Sequence, residues 1–283
     1  MPPINWTKID VFTYLGKLLS AYSNTCIANW RAYSIGIWTL RSMDTLHSSS
    51  TSQDEPILCK NCEARHGGLC SALSSQELCE LSRQSTRRHI EAGQELVGQG
   101  EKVPYYANIL RGVVKLSKMM SDGRQQIVGL QFAPDFLGRP FQIESTMAAE
   151  AATDLEICVF PRSSIDRMLS QSSTMERKLH GQSLKELDEA REWMLTLGRK
   201  SALEKVASFL YLIADHIDPT TAAKSSFDLP LSRAEIADFL GLTIETVSRQ
   251  MTKLRKDGLI SIENNRHITV PNLASLRTAA GLE

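Results

Sequence analysis

Residues 234–258 constrain this chain more than any other stretch. Ile236, Ala237 and Leu240 stand at helical spacing, and Gly241 then breaks the helix. Thr243 is a good N-cap for a second helix. That helix places Glu245, Ser248 and Arg249 at i, i+3 and i+4, on one face near its N-terminus. Val247, Met251 and Leu254 fall on the opposite face and are expected to point into a core. Beyond Gly258, residues 259–262 and 267–270 read as short strands, with Asn264 and Asn265 making the turn between them. The segment therefore predicts a helix-turn-helix followed by a β wing. Its second helix is placed to enter a DNA major groove. An ordinary helical hairpin shares the apolar spacing but not the combination of turn, cap, polar trio and wing.

Charge focuses that expectation. The chain carries 32 Lys and Arg against 32 Asp and Glu, so no global field draws it to a polyanion. Residues 249–256, however, hold Arg249, Lys253, Arg255 and Lys256 and no acid, whereas the preceding helix carries Glu235 and Asp238. Basic charge is concentrated where phosphate contact requires it, and Thr243, Lys253 and Lys256 are the candidate phosphate contacts. No apolar run approaches the roughly 20 residues of a membrane span. Lys8, Lys17, Arg31 and Arg41 interrupt the region before Ser48, and the N-terminus lacks a secretory pattern. The expected location is cytoplasmic, where thiols stay reduced and metal ligation is favoured over disulfides.

The chain divides into five parts. Residues 1–53 hold three of the four Trp and end in a Ser-rich run at 47–54, an N-terminal extension and linker. Met43 offers an alternative start, and a small appended helical segment is the other reading. Residues 54–80 form a cysteine loop and a short helix. Residues 81–172 have a β texture, with runs at 95–97, 106–110, 112–117 and 126–132 separated by turns at Gly100, Gly112, Gly123 and Pro134-Asp135. Short strands so spaced predict an antiparallel jelly roll. Residues 173–198 read as one long helix with a seam of Ser183, Leu187, Ala190, Met194 and Leu197, which fits pairing between two chains. Packing of that helix on its own barrel is the competing reading. Residues 199–283 carry a further amphipathic helix, a loop at 218–228 and the winged segment. The fold class expected is α+β.

Three cysteines cluster as Cys59-x2-Cys62-x7-Cys70, with Gly67 and Gly68 free to let the backbone wrap a bound object. A tetrahedral metal or a four-iron cluster needs a fourth ligand, for which Cys158, Cys79, Cys26 and His66 are the candidates. The spacing fits zinc as well as iron–sulfur.

From about residue 56 to its end the chain resembles the CRP/FNR superfamily of bacterial transcription regulators. The resemblance is strongest to the FNR-type oxygen sensors, including the FnrN-like branch of rhizobia. Glu245-x-x-Ser248-Arg249 is similar to that family's base-reading triad, and residues 155–161 resemble its strand with a distant cysteine ligand. The resemblance implies a cyclic-nucleotide-type β-roll, a dimerisation helix and a winged helix-turn-helix. It assigns Cys59, Cys62, Cys70 and Cys158 to a [4Fe-4S] cluster and base readout to Glu245, Ser248 and Arg249. It further implies a cluster-loaded homodimer that forms at low oxygen and binds an inverted repeat similar to TTGAT-N4-ATCAA. Such a dimer would act with RNA polymerase, mainly as an activator of genes for microaerobic respiration or nitrogen fixation. Cys79 sits in a short helical pattern and is expected to be a small buried residue. Cys26 lies outside the matching region and receives no role. Glu186, Asp188, Glu189 and Glu192 crowd the dimer helix, where like charges would oppose pairing without the cluster. Ala190 departs from the family, whose best-known members have an acid there.

Other function classes fare worse. A cyclic-nucleotide trigger needs an Arg-Ser or Arg-Thr pair late in the roll, but residues 144–151 contain no arginine and Arg139 precedes a proline. No cyclic nucleotide is expected. A ferredoxin-like carrier would concentrate its ligands in one run. No motif of paired carboxylates, Ser/His/Asp arrangement or phosphate-binding glycine loop is evident, so no enzyme is expected. A zinc-stabilised regulator remains the alternative to an iron–sulfur one.

Overall fold

A computed structural model describes residues 56–217 and 224–282. The expectations for residues 1–53, with Cys26 and Met43, fall outside the described residues. The cysteine segment is not a plain loop. It forms two single-turn helices, α1 (Ile57–Lys60) and α2 (Glu63–His66), then a 3-10 turn at Leu69–Ala72. Helix α3 (Ser75–Gln84) follows, started by a capping box in which Ser74 and Glu77 satisfy each other's backbone N–H groups.

The β-roll comprises β1 (Thr86–Ile90), β2 (Glu95–Val97), β3 (Tyr105–Arg111), β4 (Val113–Met119), β5 (Gln125–Phe132), β6 (Phe136–Leu137), β7 (Ala148–Ala151) and β8 (Leu155–Pro161). Two antiparallel four-stranded sheets result, in the orders β1-β8-β3-β6 and β2-β7-β4-β5. Inward-facing residues from both, among them Ala107, Ile109, Val114, Ala149, Leu155 and Ile157, make the core between them. At the β3–β4 turn Gly112 has φ +92°, and a Cβ there would stand 2.3 Å from the Asp154 carbonyl oxygen, so only glycine closes this turn.

Helix α4 (Arg162–Gln171) leads into α5 (Ser173–Arg199), whose N-cap is Ser172. Met175 and Leu179 pack with Phe136 and Ile165 at the near end of α5, and Trp193 packs on the core of the C-terminal unit at the far end.

That unit holds α6 (Ala202–Ile217), β9 (Ser225–Asp228), α7 (Arg233–Leu240), α8 (Ile244–Lys256), β10 (Ser261–Glu263), β11 (His267–Val270) and α9 (Leu273–Ala279). Ile236, Ala237 and Leu240 of α7 and Val247, Met251 and Leu254 of α8 are all buried in one core, as their spacing predicts. Gly241 ends α7 at φ +60°, the left-handed C-cap that separates the two helices. The wing turn spans residues 264–266, with Asn264 (φ +50°) and Asn265 (φ +57°) left-handed and the Arg266 N–H donating to the Glu263 carbonyl. A further element departs from expectation. Residues 225–228, read as loop, form β9 and complete a three-stranded sheet in the order β10-β11-β9. A β-roll, a long helix and a winged helix-turn-helix make the α+β fold expected.

Candidate functional site

Cys59, Cys62, Cys70 and Cys158 line one cavity of about 230 Å³. Three thiols come from the α1–α2 segment and the 3-10 turn, and Cys158 comes from β8 in the middle of its sheet. Leu78, Leu81 and Phe160 give the cavity apolar walls, while Arg65, Arg87 and Asn108 supply its polar groups. Register places Arg87 of β1 and Asn108 of β3 directly on either side of Cys158. The Arg87 guanidinium also donates to the Leu58 carbonyl at 2.7 Å, which ties the cysteine segment to the roll.

Burial first, and then the neighbouring Cys158, Cys62 and Cys59, push the Cys70 thiol up to about 12 against the lowering hydrogen bond from Asn108. Cys158 is likewise raised, chiefly by burial. Cys70 and Cys158 thus hold their protons tightly, and a bound metal must displace them. Among the described residues no group of three or more His, Cys, Asp or Glu side chains is arranged to hold a single metal ion. Four thiols around one walled cavity are the donor type that both a zinc ion and a four-iron cluster take.

The glycines of this segment have a further role. A Cβ on Gly68 would stand 2.7 Å from the Pro134 carbonyl oxygen, and one on Gly67 would stand 3.1 Å from the Pro134 ring. They let the segment dock closely on the β5–β6 turn. Cys79 is half-buried rather than buried, since it lies on a flank of α3 while Leu78 and Leu81 take the core positions.

On α8, Glu245, Ser248, Arg249, Lys253 and Lys256 are all exposed on the face opposite the core. Ser248, Arg249, Thr252, Lys253 and Lys256 line an open groove. The Glu245 carboxyl is held below its ordinary value by its own backbone N–H and by Thr243, as expected in a first helical turn. Thr243 caps the helix, its hydroxyl accepting from the Thr246 N–H at 3.2 Å.

Helix α5 has two faces. Ser183, Leu187, Ala190 and Met194 point away from their own chain, with Leu187 45 % and Met194 73 % exposed, while Leu197 is half-buried. The seam from Ser183 to Met194 is thus exposed, and only its Leu197 end is partly covered.

A Ser/His/Asp arrangement, not evident in the sequence, does exist on the wing. Ser226 Oγ lies 2.9 Å from His267 Nε2, and His267 Nδ1 lies 2.7 Å from Asp228 Oδ1. These side chains sit on an exposed sheet face and bind β9 to β11. A second cavity, of about 80 Å³, lies inside the β-roll. Arg139, Glu144, Glu186 and Gln131 contribute its polar lining among apolar residues such as Leu96, Val97 and Leu116.

Comparison with known proteins decides the family. The cyclic nucleotide-binding domain family matches residues 87–172, and the Crp-like helix-turn-helix domain family matches residues 204–279. A probable transcriptional activator of Rhizobium leguminosarum bv. viciae is 64% identical over 234 residues, covering 83% of this chain and 98% of the relative. The chain belongs to the CRP/FNR family of transcription regulators. The transcriptional activator protein FnrL of Cereibacter sphaeroides is 41% identical over 79% of this chain and 92% of its own. The solved structure of FixK2 from Bradyrhizobium japonicum superposes with a TM-score of 0.62 at 34% identity, over 69% of this chain and 96% of that one. This family member is a DNA-binding transcriptional activator of the FNR/FixK type, not an enzyme. No helix among its described residues is long and apolar enough to cross a membrane.

Proposed function

We propose that this activator senses oxygen through a [4Fe-4S] cluster held by Cys59, Cys62, Cys70 and Cys158, and that it binds DNA as a homodimer when oxygen is low. The observation that carries the proposal is the convergence of these four thiols, three from the cysteine segment and one from the distant strand β8, on one cavity. When bound, the cluster supplies an oxygen-labile cross-link between the cysteine segment and the β-roll. Arg87 and the Gly67–Gly68 contact already seat that segment on the roll, so its attachment is shared between protein contacts and thiolates. Leu179 and Met175 connect the same core to α5. A change in how the segment is seated therefore reaches the helix whose outer seam awaits a second chain. Cluster loading can shift the monomer–dimer balance only by its differential contacts with the two states.

The dimer presents two copies of α8 to an inverted repeat similar to TTGAT-N4-ATCAA, with half-site centres about 34 Å apart. Arg249 forks onto guanine, Glu245 accepts from cytosine N4 and Ser248 meets a thymine edge. Lys253, Lys256 and Thr243 hold phosphates. RNA polymerase is the partner of the bound dimer, and genes of microaerobic respiration or nitrogen fixation are its targets. Relatives named as nitrogen fixation regulation protein FixK, at 37% identity in Bradyrhizobium diazoefficiens, support the latter.

A cyclic nucleotide is the second candidate signal, because the roll belongs to a cyclic nucleotide-binding domain family. Against it, the inner cavity sets Arg139 among the carboxylates of Glu144 and Glu186. Arg139 also donates to the Thr146 hydroxyl at 3.2 Å. That lining disfavours a cyclic phosphate.

Anaerobic purification and metal analysis test the proposal. The expected content is about four iron and four sulfide per chain. Zinc without sulfide would replace the cluster reading with a structural metal.

A further inference from the structure

On the cluster reading just given, we infer that Asn108 is a positioning residue for the cluster, its side-chain amide donating to the Cys70 sulfur and holding the cluster's reduction potential up. Asn108 lies within β3 and is 1 % exposed, a position where strands ordinarily take a β-branched or aromatic side chain. Its Nδ2 donates to Cys70 Sγ at 3.2 Å. Its Oδ1 is buried and has no protein partner among the described residues. A buried amide that leaves its oxygen unpaired is worse for folding than an apolar side chain of similar shape. Fold stability therefore gives no reason for asparagine here, whereas the sulfur does.

Placement supports the same role. Asn108 stands beside Cys158 in the sheet register and lines the cavity that all four thiols share. Cys70 alone of the four is buried, at 8 % exposure, so water is poorly placed to supply a hydrogen bond to its sulfur. An N–H···S bond draws charge from a ligating sulfur and stabilises the more negative, reduced state of a cluster. Losing the donor makes reduction harder.

The test is a redox titration of the anaerobically purified full chain, with Asn108→Leu and Asn108→Val as two donor-free variants that pack differently. Iron and sulfide content and the melting temperature of the apo chain are measured alongside. The expected result is a full cluster complement and an apo melting temperature no lower than wild type. At a fixed potential the oxidised-to-reduced ratio should rise about tenfold, or about 59 mV for a one-electron couple. A wild-type potential in variants that hold a full cluster would overturn the inference and leave the cluster reading intact. Failure of both variants to retain any cluster would also overturn it, by making Asn108 part of binding rather than tuning. Absence of iron and sulfide from the wild-type protein would instead remove the cluster reading itself.

Discussion

Lys115 in β4 of the β-roll and Glu235 in α7 of the DNA-binding unit form an ion pair at 2.5 Å, and the same ammonium holds Glu150 of β7 at 2.8 Å. One cation thus links a strand pair of the sensor domain to the first helix of the helix-turn-helix. Glu235 also completes the capping box of α7 with Ser232, so it fastens the helix start and the domain contact together.

This pair sets a pH dependence. Burial opposes ionisation of Glu235, but the Lys115 ammonium with the Ser232 amide and hydroxyl outweighs it and holds the carboxyl below its ordinary value. Burial opposes the charge on Lys115 too, and Glu150 and Glu235 outweigh it and push the ammonium up. A depressed carboxyl contributes stability above its unfolded value, near 4.3, and loses it as pH falls through the folded value. A raised ammonium contributes below about 10.4 and loses its share as pH rises through the folded value. Glu235→Gln keeps the capping box but removes the charge. It should destabilise the chain by about 1 kcal/mol near neutrality. In urea titrations that difference should shrink to nothing as the pH is lowered through the carboxylate range. A difference that persists in acid would mean the pair adds little.

Single replacements sort the cysteines. Changing Cys59, Cys62, Cys70 or Cys158 to Ser should abolish bound iron and sulfide, while Cys79→Ser and Cys26→Ser should leave both unchanged. Iron analysis and the visible spectrum of anaerobic protein read the outcome. A Cys158→Ser chain with a full complement would remove β8 from the ligand set.

The outer seam of α5 predicts an assembly defect. Leu187→Glu places a charge among Glu186, Asp188 and Glu189, and should hold the cluster-loaded chain as a monomer in sedimentation velocity. DNA binding should fall with it, at unchanged iron content. Ala190→Asp should weaken pairing and make the response to oxygen stricter. A stable dimer with and without iron would contradict the switch.

Base readout and phosphate contact separate on a panel of operator variants. Arg249→Ala should cost about 1–3 kcal/mol per half-site and relax preference at one base pair. Glu245→Ala tests whether its carboxylate reads cytosine or only favours the helix start. Lys253→Ala and Lys256→Ala should weaken binding to all sequences alike. Each should also flatten the logarithmic salt slope by about 0.9 for every phosphate no longer neutralised. Uniform loss for Arg249→Ala would deny it a reading role.

What the sequence revealed was local and periodic. Val247, Met251 and Leu254 announce the buried side of α8, and Asn264 and Asn265 announce the wing turn, because each pattern repeats within one element. What it hid depends on distant partners. Residues 225–228 form a strand only because His267–Val270 pairs with them, and Phe227 alone marks the inward side. The single-turn helices α1 and α2 are too short to display a period. The packing of Gly67 and Gly68 against Pro134 is not visible in their own segment. The hydrogen bonds of Ser226, His267 and Asp228 cross between strands, as do those of Asn108 with Cys70 and Lys115 with Glu235 between elements. No spacing rule within one element reaches any of them.

The central position of β8 bears on how the protein is made. Cys158 is fixed only when β8 is paired on one side with β1 and on the other with β3. Cys59, Cys62 and Cys70 leave the ribosome well before it, as a short segment that offers three thiols and no fourth. Long-range strand pairing is the slow part of folding. The four thiols therefore come together late, after the roll has closed. On the proposed cluster reading, delivery of iron and sulfide would be matched to finished chains, and a newly made molecule that has not closed its roll would stay silent whatever the oxygen supply.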